Sequence, residues 1–310
     1  MKFIRGIHNL KQNQQACVAT IGNFDGLHLG HRKIIGLLKE RSKELNLPLT
    51  VISFEPLPSE YFLKDPPARI YPLRDKVRLL STLGVDNFLC LQFNAALANM
   101  PPEKFVSEVL IKNLNVRHLA VGDDFRFGHK RMGDFILLQK MGKHADMAVV
   151  STATVVEQGE RISSTKIRNV LARADIDKAN KLLGQRYQLS GRIRQGDKRG
   201  RTIGFPTINM KLPGHIAPQK GVYAVRVHGV DQTVISGVAN LGSRPTVSGT
   251  ENRLETHLFN FEGDVYGKYI CVELVKFIRP EYRFDSFDKL KQQILLDVTQ
   301  AKVILELQSD

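Results

Sequence analysis

Ten residues near the start of the chain, Gly22 to His31, combine the side chains and the flexibility that phosphate chemistry needs. They read Gly-Asn-Phe-Asp-Gly-Leu-His-Leu-Gly-His. His28 and His31 are three residues apart, so both rings share one face if the stretch opens a helix. The glycines allow a sharp turn and the close approach of a bulky ligand, and the amides at the start of a helix attract anions. The stretch therefore predicts a nucleotide site rather than a pair of surface histidines, and no third ligand follows at the spacing of a metal site.

The segments around this motif predict that it lies on a turn between a buried strand and an amphipathic helix. Residues 16–21 form a short apolar run, and apolar residues recur at helical spacing after His31. Four further apolar runs have the length of buried strands: 49–54, 88–91, 118–121 and 148–150. Strands that alternate with helices predict a parallel, doubly wound α/β sheet, whose ligands bind at its carboxyl edge.

One polar cluster directly follows the predicted strand at 118–121. It contains Asp123, Asp124, Phe125 and Phe127. The two rings could pack on a flat ligand, or they could belong to the core, and the residues alone leave both interpretations open.

A second polar cluster, Ser163, Ser164 and Thr165, precedes another helical pattern. Serines are favourable helix caps, and capping alone would explain them. Lys166 and Arg168 add positive charge where the start of a helix already favours an anion. This cluster is therefore a candidate for a second phosphate contact.

The periodicity changes after Gly184, where we place the boundary between a domain of residues 1–184 and a domain of residues 185–310. Six short segments alternate or run apolar without helices between them: 187–195, 207–212, 221–228, 233–241, 254–261 and 269–278. This pattern predicts a six-stranded antiparallel β-barrel. Ser286 then caps a terminal helix with one apolar side.

Two candidate phosphate and metal groups lie early in the predicted barrel. Residues 191–204 are rich in glycine and basic side chains, including Gly196 and Gly200, and such a loop can wrap phosphates with its amides. The sequence contains no Walker A loop. Thr207 and Asn209 are two residues apart on a strand, so their oxygens face the same way and could hold Mg²⁺. Ordinary strand polarity would also explain this pair.

Glu255 is the candidate for acid–base chemistry in this half. Burial would raise its pKa towards a useful value if its face of the strand points inward. If the face of Leu254 and Leu258 is the interior, Glu255 is merely solvated. Periodicity leaves both orientations open.

Composition describes a globular protein with an excess of positive charge. The chain has 310 residues, a hydrophobic content of 42% and a formal net charge of +14. Such a charge suits nucleic acid or nucleotide substrates, and composition does not separate the two. Cys17, Cys90 and Cys271 are few and widely spaced, which favours reduced thiols in a cytoplasmic protein. We expect neither a signal peptide nor a membrane span.

The motif at residues 22–31 resembles Gly-x-Phe-Asp-x-x-His-x-Gly-His, found in nucleotidyltransferases that share the HIGH-type fold of class I aminoacyl-tRNA synthetases. Nearly the whole chain resembles the bacterial bifunctional riboflavin kinase/FMN adenylyltransferases, also called FAD synthetases. The resemblance implies an N-terminal Rossmann-like HIGH-type domain that transfers an adenylyl group to FMN. His28 and His31 would be catalytic. The implied ATP-binding residues are Gly22, Asn23, Phe24, Asp25, Gly30, Ser163, Ser164, Thr165 and Arg168.

The same resemblance assigns the cluster after residue 121 to the flavin side of the adenylyltransferase: Asp123, Asp124, Phe125 and Phe127. Leu57 stands where family members often carry a histidine, so this chain departs from the family pattern there.

The second half resembles the riboflavin kinase module through residues 205–209, a strand glutamate and residues 264–267. The resemblance implies that Thr207 and Asn209 help to bind Mg²⁺ and ATP. It makes Glu255 the group that activates the ribityl hydroxyl of riboflavin. We expect Gly196 and Gly200 of the glycine-rich loop to bind ATP in the same half.

The predicted function has two steps. ATP phosphorylates riboflavin to FMN, and FMN then attacks a second ATP to give FAD and pyrophosphate. We expect small-molecule substrates, no nucleic-acid or membrane partner, and a monomer or weak homo-oligomer. Two alternatives stay open: a HIGH-type transferase for another phosphate ester, such as a pantetheine or nicotinamide precursor, and a nucleic-acid-binding barrel beside a vestigial nucleotide domain.

Overall fold

The structure, a computed structural model, describes residues 1–10, 16–157, 159–194, 205–212, 214–246 and 249–306. It consists of two compact units. The first contains residues 1–67 and 76–163, and the second contains residues 68–75 and 164–310. The sequence analysis places the boundary between the two functional domains after Gly184. That division into functional domains stays a prediction.

The first unit is built on a parallel sheet of six strands in the order β1-β4-β3-β2-β5-β6. The strands are β1 (Lys2–Arg5), β2 (Cys17–Ile21), β3 (Leu49–Glu55), β4 (Asn87–Gln92), β5 (Val116–Gly122) and β6 (Ala148–Thr152). All five residues of β2 are buried, as expected of a central parallel strand. The predicted α/β class is confirmed. The sequence did not predict β1, because four residues at the edge of a sheet are too few to show a periodicity.

Helices connect these strands. They are α1 (Leu29–Leu45), α2 (Pro58–Phe62), α3 (Leu73–Thr82), α4 (Ala95–Ala98), α5 (Pro102–Lys104) and α6 (Phe135–Lys143). α5 continues as a π-helix over Phe105–Asn113. Short strands β7 (Val156–Glu157) and β8 (Glu160–Arg161) pair in an antiparallel way before the first unit ends.

The second unit contains a closed barrel of six strands in the order β10-β13-β12-β11-β14-β9. The strands are β9 (Gln188–Arg194), β10 (Thr207–Leu212), β11 (Gly221–His228), β12 (Ile235–Thr246), β13 (Gly249–Leu258) and β14 (Tyr269–Pro280). All neighbouring pairs are antiparallel, which confirms the predicted barrel. β13 ends before the predicted residue 261, because Asn260 adopts a left-handed backbone with φ 51°.

The alternation along β13 decides the orientation of Glu255. Leu254, Thr256 and Leu258 are 0%, 1% and 7% exposed and lie on the interior face. The orientation in which Glu255 points into the barrel is therefore wrong, and its side chain lies on the outer face.

In the described part of the second unit, three helices accompany the barrel: α7 (Ser164–Ala172), α8 (Ile176–Leu183) and α9 (Phe287–Glu306). α9 is the predicted terminal helix. Ala301 and Leu305 of α9 join Val222, Ala224 and Val238 in one buried apolar cluster. Val222 and Ala224 belong to β11, and Val238 belongs to β12. Helix α9 therefore covers part of the outer surface of the barrel.

Residues 68–75, which we call the strap, belong to the second unit although they precede it in the chain. The ring of Tyr71 stacks on that of Tyr187 with centroids 5.1 Å apart. The Tyr187 hydroxyl donates a hydrogen bond to the carbonyl oxygen of Ile70 at 2.7 Å. The fully buried carboxylate of Asp75 accepts hydrogen bonds from the backbone nitrogen and the hydroxyl of Ser190, at 3.0 and 2.5 Å.

Within the part of the chain that the structure describes, no helix combines the length and the apolar character needed to cross a membrane.

Candidate active sites

The turn between β2 and α1 places two histidine rings against each other. The backbone nitrogen of Gly22 donates to the carbonyl oxygen of Ile52 at 3.1 Å, so the pairing with β3 continues for one residue beyond β2 before the chain turns. α1 begins at Leu29, and His28 is the residue before it. The rings of His28 and His31 stack with centroids 3.7 Å apart and planes at 22°. This confirms the predicted strand, turn and helix, and the shared face of the two histidines.

Non-glycine residues with left-handed backbones shape this turn. Phe24 and Leu27 both have φ 46°, and both side chains are buried. Such conformations are costly for side chains with a Cβ, so packing must hold them in place. The ring of Phe24 lies 4.9 Å from that of His31 between centroids and supports it. At Gly30, an added Cβ would meet the His28 ring at 3.1 Å, so a larger residue would displace that ring.

Two side chains fix the carbonyl oxygen of Asn23. The Ser53 hydroxyl donates to it at 3.1 Å, and the Lys76 ammonium donates at 2.7 Å. Asp25 is also buried, at 2% exposure. The turn is therefore held at several points before any ligand binds.

Burial keeps both histidines of this turn neutral. Together with the positive charge of Arg161, it lowers the pKa of His28 to about 4. Burial also lowers the pKa of His31 well below its ordinary value, with further contributions from His28 and Lys76. The Nδ1 atoms of both rings are buried and have no hydrogen-bond partner among the described residues. Neutral imidazoles can donate one hydrogen bond each to a phosphate oxygen without carrying a charge.

The side chain of Leu57 is only 3% exposed. Its backbone nitrogen donates to the carboxylate of Glu60 at 2.8 Å, which starts α2. The side chain is part of the core, so this position contributes packing and no polar group to the turn.

The cluster after β5 divides into polar and apolar residues. The Thr154 hydroxyl donates to both oxygens of Asp123, at 3.0 and 2.8 Å, and this bond lowers the pKa of Asp123. Asp124 forms an ion pair with Arg161 at 2.5 Å. Phe125 and Phe127 stack with centroids 5.6 Å apart.

The two rings of that stack differ in burial. Phe127 is 7% exposed and lies in the main core of the first unit, and Phe125 is only partly buried. Phe127 therefore fits the core interpretation of this cluster, whereas Phe125 keeps an accessible part of its ring. The flavin contacts of the whole cluster stay a prediction.

The second polar cluster of the sequence, Ser163, Ser164 and Thr165, is divided along the chain between the two units. Ser163 is the last residue of the first unit, and Ser164 and Thr165 begin α7 in the second unit, with Arg168 one turn later. Ile167, Val170 and Leu171 are buried and anchor the helix. The helix start matches the prediction, and the ATP contacts of these residues stay a prediction.

In the second unit, Glu255 lies between two asparagines on the outer face of the barrel. Asn209 of β10 is its register partner on one side, and Asn240 of β12 is its register partner on the other. Glu255 lines a cavity of about 400 Å³, which we call the Glu255 cavity. Its walls include Thr207, Asn240, Phe205, Tyr282, Phe284 and Phe287. Glu255 is thus neither inside the barrel nor simply solvated, because α9 and the segment before it cover this part of the outer face.

A second cavity of about 390 Å³ lies beside the first, and we call it the Tyr266 cavity. Its lining includes Pro206, which precedes β10, Ile208 of β10, and Phe261 and Tyr266 of the segment after β13. Thr207 lines both cavities. This shared residue marks the place where two ligands, one in each cavity, would come closest.

The donor set around Thr207 fits a hard cation. Asn209 is 8% exposed, and its Oδ1 atom is buried without a hydrogen-bond partner in the described chain. Thr207 lies two residues away on the same outer face, as predicted. Oxygen ligands of this kind suit Mg²⁺, which also keeps several waters and phosphate oxygens as ligands. Among the described residues, no group of three or more His, Cys, Asp or Glu could hold a metal by itself.

Gly196 and Gly200, the predicted phosphate-binding glycines of the kinase half, lie outside the described residues.

Sequence reasoning missed several residues of the Glu255 cavity. Tyr282 and Phe284 follow β14 in an exposed segment, and Asp297 lies in the middle of α9. A buried acidic residue on the apolar side of a helix is unusual, and that contrast is the signal that could have identified Asp297.

Comparisons with known proteins agree with both halves of this description. The family model for FAD synthetase matches residues 10–166, and the family model for riboflavin kinase matches residues 183–305. The bifunctional riboflavin kinase/FMN adenylyltransferase of Escherichia coli (strain K12) is 50% identical over 304 residues, which cover 97% of each chain. The protein of the same name from Haemophilus influenzae is 45% identical over 303 residues, which cover 97% of this chain and 98% of that one.

A similar fold is known from a crystal structure. A Streptococcus pneumoniae protein described as a macrolide-efflux protein superposes with a TM-score of 0.79 at 28% identity. The superposition covers 96% of this chain and 97% of that chain.

Proposed function

This chain belongs to the bifunctional riboflavin kinase/FMN adenylyltransferase family, and we propose that it makes FMN at the Glu255 cavity and FAD at the His28–His31 turn. Riboflavin is phosphorylated by ATP in the first reaction. FMN is adenylylated by a second ATP in the next, with release of pyrophosphate. We assign one reaction to each unit because each unit has its own cluster of polar side chains suited to phosphate transfer.

The kinase step uses the two adjoining cavities of the second unit. The nucleotide lies in the Tyr266 cavity and riboflavin lies in the Glu255 cavity, so that the γ-phosphoryl group and the 5′-hydroxyl meet beside Thr207. A bond forms between the 5′-oxygen and the γ-phosphorus, and the bond from that phosphorus to ADP breaks. Glu255 accepts the hydroxyl proton. The aromatic lining of the Glu255 cavity supports the placement of the flavin there, because its flat ring can stack on Tyr282 and Phe284.

Thr207 and Asn209 are the residues that would hold Mg²⁺ with the phosphates of ATP. The buried, unpartnered Oδ1 atom of Asn209 supports this assignment. When bound, Mg²⁺ neutralises charge on the phosphate oxygens. The protein's own contribution is to orient the hydroxyl and to take its proton through Glu255.

The adenylyl-transfer step needs donors and no general base, because the attacking FMN phosphate is already anionic. One of its oxygens bonds to the α-phosphorus of ATP, and pyrophosphate leaves. His28 and His31 donate hydrogen bonds to the charge that develops on the α-phosphate and on the leaving group. Ser164, Thr165 and Arg168 are proposed to contribute further donors.

We propose small-molecule partners and a cytoplasmic location for both steps. The net charge of +14 suits polyanionic nucleotides, so no nucleic acid is needed to account for it. Cys17, Cys90 and Cys271 form no disulfide in the described part of the chain, which suits a reducing compartment. We propose a monomer or weak homo-oligomer.

A direct assay tests the proposal. The purified chain is incubated with riboflavin, ATP and Mg²⁺, and the flavins are separated by chromatography. We expect FMN to appear first and FAD to follow. A folded protein that leaves riboflavin unchanged and also fails to convert supplied FMN would contradict the proposal.

A further inference from the structure

The segment between β14 and α9 lines the Glu255 cavity although it is largely exposed. Tyr282 is 48% exposed, and no regular secondary structure covers residues 281–286. An exposed segment without regular structure does not fix the position of its own rings. The contacts that do fix it come from β12, β14 and α9.

One tether lies at Glu281. Its carboxylate accepts a hydrogen bond from the side-chain nitrogen of Asn240 at 2.9 Å. Asn240 is the register partner of Glu255. The start of the segment is thereby linked to the strand beside the proposed catalytic carboxylate.

The second tether is the ion pair between Arg279 and Asp297, whose guanidinium also contacts the rings of Tyr282 and Phe284. Arg279 donates to Asp297 from Nε at 2.8 Å and from Nη2 at 2.7 Å. The same guanidinium lies 4.4 Å from the centroid of the Tyr282 ring and 5.8 Å from that of Phe284. The two rings are 4.8 Å apart. Gln293, one turn earlier on α9, also donates to Asp297 at 2.9 Å.

This ion pair is buried. The side chains of Asp297 and Arg279 are 4% and 15% exposed. A buried ion pair contributes little net stability compared with apolar side chains of similar size, because both charges lose their water. Its geometry therefore points to a role other than stability. A bidentate carboxylate orients the plane of a guanidinium, and that plane orients the rings with which it makes cation–π contacts.

We propose that Asp297 is a positioning residue for the kinase reaction: acting through Arg279, it holds Tyr282 and Phe284 in place to stack on the conjugated ring of the flavin. We call the four residues the Asp297 clamp. The proposal rests on the assignment of riboflavin to the Glu255 cavity. Asp297 takes no part in the chemistry itself, so it should affect the binding of the flavin more than the rate of phosphoryl transfer.

The test is the variant Asp297→Asn, which keeps the shape of the side chain and removes its charge. Riboflavin binding is measured by quenching of flavin fluorescence, together with KM and kcat of the kinase step. We expect Kd and KM for riboflavin to rise about tenfold, which corresponds to the loss of one well-placed aromatic contact. We expect kcat and KM for ATP to stay within about twofold. Asp288→Asn is the matched control, because Asp288 is an exposed residue of the same helix outside the cavity.

A second variant separates positioning from stability. The pair Arg279→Met and Asp297→Leu replaces both charges by apolar side chains, which should keep α9 folded against the barrel. We expect this double variant to unfold at the temperature of the unmodified protein and still to bind riboflavin about tenfold more weakly. Unchanged riboflavin affinity in either folded variant would overturn the clamp. Absence of kinase activity in the unmodified protein is a different result, which would contradict the proposed function.

Discussion

The imidazole rings of His28 and His31 lie face to face, 3.7 Å apart between centroids, at the start of α1. Burial lowers the pKa of both, to about 4 for His28. A proton on one ring would be placed against the other ring and near Lys76 or Arg161. The pair is therefore suited to act as two neutral hydrogen-bond donors, and this has consequences that can be measured.

The first consequence concerns stability. In the unfolded chain the His28 imidazole binds a proton near its ordinary pKa of 6.5, and in the folded protein it does so only near 4. The unfolded state therefore binds more protons in this interval. The free energy of unfolding should fall as the pH is lowered from about 6.5 to about 4, by up to about 3 kcal/mol from this residue. Urea unfolding of the ligand-free chain and of His28→Gln, compared across this range, measures the effect. Parallel pH dependences would contradict it.

The second prediction removes a donor from the same turn. His31→Ala should abolish FAD formation, with a loss of about 100-fold or more, because a preorganised donor to the transition state disappears. Formation of FMN from riboflavin should remain largely intact in the same sample, which serves as the control for folding. Loss of both activities in a folded variant would argue against independent sites.

The third prediction removes the proposed general base of the kinase reaction and leaves the adenylyl-transfer site unchanged. Glu255→Ala should block FMN formation by about 100-fold to 10,000-fold, the range that a general base contributes. The variant should still convert supplied FMN to FAD. Separate assays with riboflavin and with FMN as the only flavin distinguish these outcomes, and retention of normal kinase activity would remove Glu255 from the mechanism.

The fourth prediction concerns the metal. Thr207→Val keeps the size of the side chain and removes the hydroxyl that would bind Mg²⁺. The Mg²⁺ concentration for half-maximal kinase rate should rise about tenfold, since one oxygen ligand is lost. Lys211→Met is a suitable control, because Lys211 lies on the same face of β10 and outside both cavities. Equal Mg²⁺ requirements in the two variants would count against Thr207 as a ligand.

The fifth prediction concerns the strap. Asp75→Ala should lower the stability of the second unit by about 2–3 kcal/mol, because Ser190 loses a charged acceptor for two hydrogen bonds. Kinase activity should then be lost at a lower temperature than in the control Asp65→Ala, which changes an exposed residue. Identical inactivation temperatures would show that the strap does not support the barrel.

The elements that position the first site could be predicted because their signals are local. A buried run before glycines, and apolar spacing after them, indicate β2 and α1 without reference to the rest of the chain. The alternation of short strands likewise indicates the barrel. Local patterns left the interior side of β13 undecided, because the predicted segment 254–261 runs past the end of the strand and adds Phe259 and Phe261 to the face of Glu255.

The remaining parts of the site depend on contacts between residues that are distant in sequence. Glu255 is enclosed because α9 covers the outer face of the barrel near it, and no pattern within β13 contains that information. Asp75 and Ser190 are 115 residues apart, and each looks like an ordinary surface residue in its own segment. The Asp297 clamp joins a strand, an exposed segment and a helix, so its parts become a group only in the folded chain.

The central claim is that the two reactions occur at separate sites that exchange FMN. It is tested most directly by mixing the variants His31→Ala and Glu255→Ala with riboflavin, ATP and Mg²⁺ and measuring FAD by chromatography. Each variant alone should make no FAD, whereas the mixture should make FAD at a substantial rate from FMN released by the first variant. A mixture of the two folded variants that makes no FAD would contradict the claim.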